Sequence, residues 1–246
     1  MLAEVNQICD LVRKCGELIK NADRKAMKIQ EKEGRANLVT EYDKKVQEIL
    51  RAGLKEIVPD AGFIGEEEEK HTFSESGKFF IVDPIDGTTN FIKDYHMSCI
   101  SVAMIEDGKG KIGVVYNPYL DEMYYAQKDC GAYCNGEKIS VSDEDLENGL
   151  VLFGSSPYHE ELSKKTFEMV YDYYLKALDV RRSGSAALDL CTVAIGRAEL
   201  FFELILSPWD YAAGGLILEE AGGIITDMDG NPIVYDRPCS VFARNK

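Results

Sequence analysis

Three short segments set carboxylates beside glycine or proline: Ile64-Gly-Glu66-Glu-Glu-Glu69, Val82-Asp83-Pro-Ile-Asp86-Gly-Thr-Thr-Asn-Phe91 and Pro208-Trp-Asp210-Tyr-Ala-Ala-Gly-Gly215. Asp83 closes an apolar run that begins at Phe79, and Asp86 follows three residues later, where the chain is expected to turn. Pro84 excludes helix at Asp83 and stiffens the turn, so both carboxylates can project toward one point. Two anions buried together are unstable unless a cation compensates them. Oxygen donors alone, with no His or Cys in the motif, suit a hard cation such as Mg²⁺ or Mn²⁺ better than Zn²⁺. Gly87-Thr88-Thr89-Asn90 reads as a helix start whose free N–H groups are open to phosphate oxygens. The same Asp-Pro-x-Asp-Gly string is built from ordinary turn residues, and taken alone it suits a surface turn equally well.

The charge of the whole chain sharpens the question. Across 246 residues, 28 Lys+Arg stand against 43 Asp+Glu, a formal charge of −15. A nucleic-acid partner needs a basic patch, so direct contact with one is not expected. An anionic substrate would be repelled by the overall field and needs local positive charge, from metal ions or backbone N–H groups. With 45% apolar and 29% charged residues the composition is that of a globular protein. No apolar run reaches the roughly 18 residues of a membrane span, and the first ten residues lack the pattern of a signal peptide. The odd count of seven cysteines points to reduced thiols and a cytoplasmic setting.

The elements that must position these acids follow from periodicity. Residues 2–29 carry apolar positions at helical spacing (Val5, Ile8, Leu11, Val12, Cys15, Leu18, Ile19). A polar loop over 31–37 precedes a second helix from Tyr42 that stops at Pro59. Strands are expected at 79–83, 98–106, 111–117 and 122–126. From about residue 149 strands and helices alternate: strand 149–155, helix 159–178, helix 184–196, strand 200–206 and helix 208–221, with Pro208 near the first helical position and Gly222-Gly223 as the stop. Two halves are expected, an α+β half over 1–140 and a strand/helix-alternating half over 141–246 that completes the site.

Other patterns carry weaker chemistry. Gly108-Lys-Gly-Lys-Ile-Gly113 matches G-x-G-x-x-G but leads into a strand pattern, so a hairpin turn is expected. Cys130 and Cys134 lack a second ligand pair for zinc. His71, His96 and His159 read as surface or packing residues, as no nucleophile elbow accompanies them. Within Glu66–Glu69 one ligand is expected, followed by a solvated face, with Glu67 in a supporting role.

Taken together, the segments resemble the inositol monophosphatase family: Gly65-Glu66-Glu67, Asp83-Pro-Ile-Asp-Gly-Thr-Thr-Asn-Phe91 and Trp209-Asp-Tyr-Ala-Ala-Gly214. Asn37-Leu-Val-Thr-Glu-Tyr-Asp43, Gly131–Gly136 and Arg182–Leu190 match in the family's order, over roughly residues 30–230. The resemblance implies a layered αβαβα sandwich of the inositol monophosphatase / fructose-1,6-bisphosphatase type, α+β and α/β in character. It implies Mg²⁺-dependent, lithium-sensitive hydrolysis of a small phosphorylated metabolite by activated water, with two or three ions, Mn²⁺ as a possible substitute, no phosphoenzyme and a homodimer.

By residue, the resemblance gives Glu66, Asp83 and the Ile85 carbonyl to a first metal, and Asp83, Asp86 and Asp210 to a second. Glu66, with Thr88 hydrogen-bonded to Asp43, would prepare the water. Gly87 and Thr88 would meet the phosphate. Glu203 and the backbone of Gly184, Ser185 and Ala186 would meet the substrate's hydroxyl groups, Asp86 would contribute at the ester side, Asp210 would also touch substrate, and Lys32 aligns with a lysine near the site. Relatives with this signature act on inositol phosphates, fructose 1,6-bisphosphate, histidinol phosphate, 3′-phosphonucleotides or NADP, and one works through the transcription machinery. The chain ends at Lys246, where many relatives continue into a final helix.

Overall fold

The computed structural model describes residues 3–31, 38–68 and 76–246, so Lys32, Glu69 and His71 lie outside the described residues. Helix α1 (Ala3–Lys20) buries Val5, Ile8, Val12, Cys15 and Ile19 along one face. It ends nine residues before the expected limit at 29. Asn21 donates its side-chain amide to the Glu17 carbonyl, and the Asp23 carboxylate accepts from the N–H groups of Lys25 and Ala26. Asn and Asp compete with helical bonding in this way. Strand β1 (Ile29–Glu31) then pairs antiparallel with β2 (Leu38–Thr40). Helix α2 (Glu41–Ile57) starts at a Thr40 capping box and stops just before Pro59.

Seven strands form one sheet in chain order: β3 (Gly62–Gly65), β4 (Lys78–Asp86), β5 (Cys99–Glu106), β6 (Lys109–Asn117), β7 (Glu122–Gln127), β8 (Ala132–Cys134) and β9 (Glu137–Ile139). Only β3 and β4 are parallel; the other neighbours are antiparallel. A short helix, α3 (Thr88–Ile92), occupies the β4–β5 connection. The glycine-rich string at 108–113 is part of the β5–β6 hairpin, with Asp107 and Gly108 both at positive φ as a tight turn requires.

A second sheet runs β11-β10-β12-β14-β13, built from β10 (Leu150–Phe153), β11 (Asp179–Arg181), β12 (Leu200–Leu206), β13 (Ile224–Thr226) and β14 (Cys239–Arg244). Between its strands come α4 (Ser163–Tyr174), α5 (Ala186–Ala194) and α6 (Pro208–Glu220). The helix expected at 159–178 is thus shorter: a 3-10 turn, Glu160–Leu162, precedes it.

Three apolar clusters set the layers. One packs α1 and α2 on Phe80, Val82 and Val102 of the large sheet. A second fills the space between the sheets, joining Phe79, Ile81 and Val115 to the buried faces of α5 and α6 and on to Phe201 and Val241. The third sits under α4. The order is helix, sheet, helix, sheet, helix, the αβαβα sandwich. Helix α6 is apolar on all sides (Tyr211, Ala212, Ala213, Leu216, Ile217) because it lies in the central layer.

Candidate active site

The turn after Val82 is not a simple strand end. In the β4–β5 ladder Asp83 faces Ser101 and Asp86 faces Cys99, so three residues on one strand span two on the other. In a regular strand, positions three apart point to opposite faces; the extra residue of this bulge restores the phase. Both carboxylates therefore face the inter-sheet side, which Phe79 and Ile81 share. Asp83 Oδ1 accepts the Ile85 N–H at 2.9 Å, closing a turn around Pro84.

Asp210 arrives from the other half of the chain as the third residue of α6. Its Oδ2 accepts the Ser207 N–H at 2.7 Å, one arm of a capping box. Carboxylate oxygens of Asp83, Asp86 and Asp210 lie within 4.8 Å of one another. Glu66, whose N–H prolongs the β3–β4 pairing onto the Val82 carbonyl, lines the same cleft of about 400 Å³.

Asp86 also binds the halves of the site together. Its Oδ2 accepts from Ser185 Oγ at 2.6 Å and from the Ala187 N–H at 2.8 Å, tying the start of α5 to β4. Gly87 stands at φ +87°, and a Cβ there would lie 2.8 Å from the Met97 carbonyl, so only glycine fits. Thr88 Oγ1 sits 3.1 Å from the Ile85 carbonyl and 3.3 Å from Asp43 Oδ1. Asp43 does not reach the cleft. It is buried behind Thr88, where its Oδ2 accepts the Thr40 N–H at 2.7 Å and the Thr40 hydroxyl at 2.5 Å.

Glu203, which also lines the cleft, is 7% exposed. Its Oε1 accepts from the Ser156 N–H at 2.7 Å and hydroxyl at 3.1 Å. Gly184, Ser185 and Ala186 line the cleft beside it.

The electrostatics are those of an anion cluster lacking its counter-charge. Burial first, then Glu66, Asp86 and Asp210, raises Asp83 well above the usual carboxylate range. Burial followed by Asp86 and Glu66 does the same to Asp210. Burial lifts Asp86 to about 6, opposed by its bond from Ser185, and lifts Asp43 and Glu203 to about 7. Three carboxylates with oxygens within 4.8 Å of one another, two buried and the third half-buried, offer only oxygen, fit a hard divalent cation and are costly together without one.

Gly154 and Ser156 had no signal in the linear sequence, while Arg182 and Asn90 stood in matched segments without a role of their own. Ser156 reaches the site across a sequence gap that no local pattern spans. His159 sits at the surface, as expected of it, lines the cleft and has Nδ1 3.0 Å from Glu161. Glu68, by contrast, is not part of a solvated face. It is half-buried, pairs with Arg51 at 2.5 Å and accepts the Gly65 N–H.

A sequence profile for the Inositol monophosphatase family matches residues 1–246. The chain belongs to the inositol monophosphatase family. Inositol monophosphatase 1 of Mus musculus is 38% identical over 229 residues, which cover 90% of this chain and 82% of the mouse protein. Nus factor SuhB of Vibrio cholerae is 38% identical over 221 residues, covering 89% and 82%. The crystal structure of extragenic suppressor protein suhB from Bartonella henselae matches with a TM-score of 0.93 at 33% identity, over 100% of this chain and 95% of that one. As a member of the inositol monophosphatase family the chain is a phosphoric monoester hydrolase of small phosphorylated molecules, and the family is metal-dependent. No helix among the described residues is long and apolar enough to cross a membrane.

Proposed function

We propose that this enzyme hydrolyses myo-inositol monophosphate to inositol and phosphate with Mg²⁺ as its cofactor. The observation that carries the reading is one cleft in which Asp83, Asp86 and Asp210 converge and which Glu203 also lines. Asp83, Asp86 and Asp210, with Glu66 and the Ile85 carbonyl, would hold two or three ions, for which Mn²⁺ could substitute. Ions held there supply positive charge for the attacking and leaving oxygens of an in-line displacement.

The chain's own groups do the rest. The single Thr88 hydroxyl proton is directed at Ile85 or Asp43, which leaves the Oγ1 lone pairs to accept from a water and orient it. Glu66 is the second acceptor for that water. N–H groups of Gly87 and Thr88 serve the phosphate oxygens; α3 is only five residues long, so these individual donors matter more than a helix dipole. Glu203, its Oε1 held by Ser156, accepts a substrate hydroxyl. Ser185 and Ala187 hold Asp86 in place.

Lithium inhibition, a cytoplasmic location and a homodimer belong to the same reading. Phe167, Tyr171 and Tyr174 support the dimer, as they are exposed along one face of α4. The name Nus factor belongs to the Vibrio protein, and the charge of −15 argues against direct nucleic-acid contact here.

The test is phosphate release by the purified protein from myo-inositol 1-phosphate, fructose 1,6-bisphosphate, histidinol phosphate, a 3′-phosphonucleotide and NADP, with Mg²⁺ and after exhaustive chelation. Mg²⁺-dependent turnover with the highest kcat/KM on inositol 1-phosphate is expected. Full activity after chelation would remove the metal assignment, and preference for another ester would remove the substrate assignment.

A further inference from the structure

In the Asp83–Phe91 motif, neither metal nor phosphate chemistry accounts for the side chain of Asn90. Asn90 is half-buried and lines the cleft, and its side chain points at backbone. Its Nδ2 donates to the Met97 carbonyl at 2.6 Å and to the Ser183 carbonyl at 2.9 Å. An amide NH₂ has two protons, and both are spent on carbonyls from segments far apart in the sequence.

The Ser183 segment borders the substrate cleft through Gly184, and Met97 lies behind the Gly87 turn. Gly184 stands at φ +86°, so the Ser183–Gly184 peptide can rotate with little steric resistance. In a trans peptide the carbonyl and the following N–H point in opposite directions. By holding the Ser183 carbonyl, Asn90 therefore fixes the direction of the Gly184 N–H. The Asn90 amide also packs on Gly184, where an added Cβ would come within 3.1 Å of Nδ2. At the other end, Met97 follows His96, a non-glycine residue at φ +62°, and its carbonyl is the wall against which Gly87 fits. Gly87 itself is also held by the Asp86–Cys99 pairing on one side and by its carbonyl accepting the Phe91 N–H on the other, whereas the Ser183 carbonyl is held by the Asn90 amide.

We infer that Asn90 is a positioning residue for substrate selectivity: it orients the Ser183–Gly184 peptide against polyhydroxylated esters while leaving the reacting centre to the carboxylates. This rests on the proposed hydrolysis of inositol phosphate. The bland alternative is a purely structural bond, whose loss would lower stability and the active fraction, and hence turnover of all esters equally.

The experiment compares Asn90→Leu, which is close in size and removes both donors without adding a charge, and Asn90→Ala with wild type on myo-inositol 1-phosphate and p-nitrophenyl phosphate at saturating Mg²⁺. KM for the inositol ester is expected to rise about tenfold, the scale of one lost hydrogen bond. Its kcat, and both constants for the aryl ester, should stay within about twofold, the size of the smallest changes read as free energies here. If either variant is insoluble, Asn90→Ser, which retains one donor, is read by the same ratio of KM values. Equal losses on both esters, or no change on either, would overturn the inference. Wild type inactive on inositol 1-phosphate but active on the aryl ester would instead count against the substrate reading and take this inference with it.

Discussion

At the scale of single residues, the site uses carboxylates of one chemical type for opposite purposes, and the surroundings decide which. Asp210 is one of three acids with oxygens within 4.8 Å of one another, with mutual repulsion that a cation must relieve. Glu203 is more deeply buried, but it is held by Ser156 on one oxygen and lies against Gly154 on the other, where an added Cβ would fall 1.7 Å from Oε2. No methyl group can enter there without displacing the carboxylate, since the Ser156 bonds already fix its position. Gly154→Ala is therefore expected to reproduce Glu203→Ala. Both should lower kcat/KM for inositol 1-phosphate by 1–3 kcal/mol, roughly one charged hydrogen bond, and spare an aryl phosphate. Asp210→Asn should instead reduce kcat on both esters by ~10²–10³, as loss of a transition-state charge stabiliser does. Steady-state kinetics on the two esters separate the cases, and Gly154→Ala with wild-type selectivity would show that Glu203 does not touch substrate.

Elements deliver these residues through a device used twice. Thr40 with Asp43, and Ser207 with Asp210, are Ser/Thr-x-x-Asp boxes at helix starts. Each carboxylate caps its own helix with one oxygen and serves the site directly or through Thr88 with the other. That spacing is written in the sequence, as are α2, α6 and the long antiparallel strands β5 to β7, which have enough length to show a period. Strands of three residues, such as β1, β2, β8 and β13, have no period to read and exist because a neighbour pairs with them. The bulge at Asp83–Asp86 was legible only as a turn, since its effect on side-chain phase depends on the register with β5. Ser156 could not be read at all, and Arg182 and Asn90 only as members of a matched segment, because their partners are set by tertiary packing. The seat of α6 yields its own test. A Cβ on Gly113 of β6 would lie 2.6 Å from the Ala213 carbonyl, so Gly113→Val must push α6 off the sheet. It is expected to cost about 1–3 kcal/mol by overpacking and to lower kcat, because Asp210 rides on the displaced helix. Urea melts and kcat should fall together. A destabilised protein with normal kcat would mean the capping box alone holds Asp210.

For the whole molecule, the buried acids make stability depend on pH in the direction opposite to ordinary acid denaturation. Asp86 at about 6 and Asp43 and Glu203 at about 7 are raised by burial above the unfolded range near 4. Asp83, Asp189 and Asp210 are raised further by burial and neighbouring acids. The folded, metal-free protein therefore binds these protons more tightly than the unfolded chain. Their contribution is fully present below about pH 4 and is lost as pH rises through the folded values. Exposed carboxylates held low by partners, such as Asp60, Asp179 and Asp227, titrate below this window and do not offset it. The formal charge of −15 acts in the same direction by self-repulsion, but monovalent salt screens that part and leaves the buried cluster largely unscreened. In EDTA and about 0.15 M salt, where the Debye length is about 8 Å, Tm is expected to fall steadily between pH 5 and pH 8. Mg²⁺ should restore it by an amount that grows with pH, because the ion competes with protons for the same oxygens. Asp83→Asn removes one buried charge and should flatten the metal-free curve. Thermal melts with and without Mg²⁺ at each pH decide the matter: a metal-free Tm that is flat or rises over this range would mean the carboxylates are already compensated within the chain, and the cation would lose its structural reason to bind.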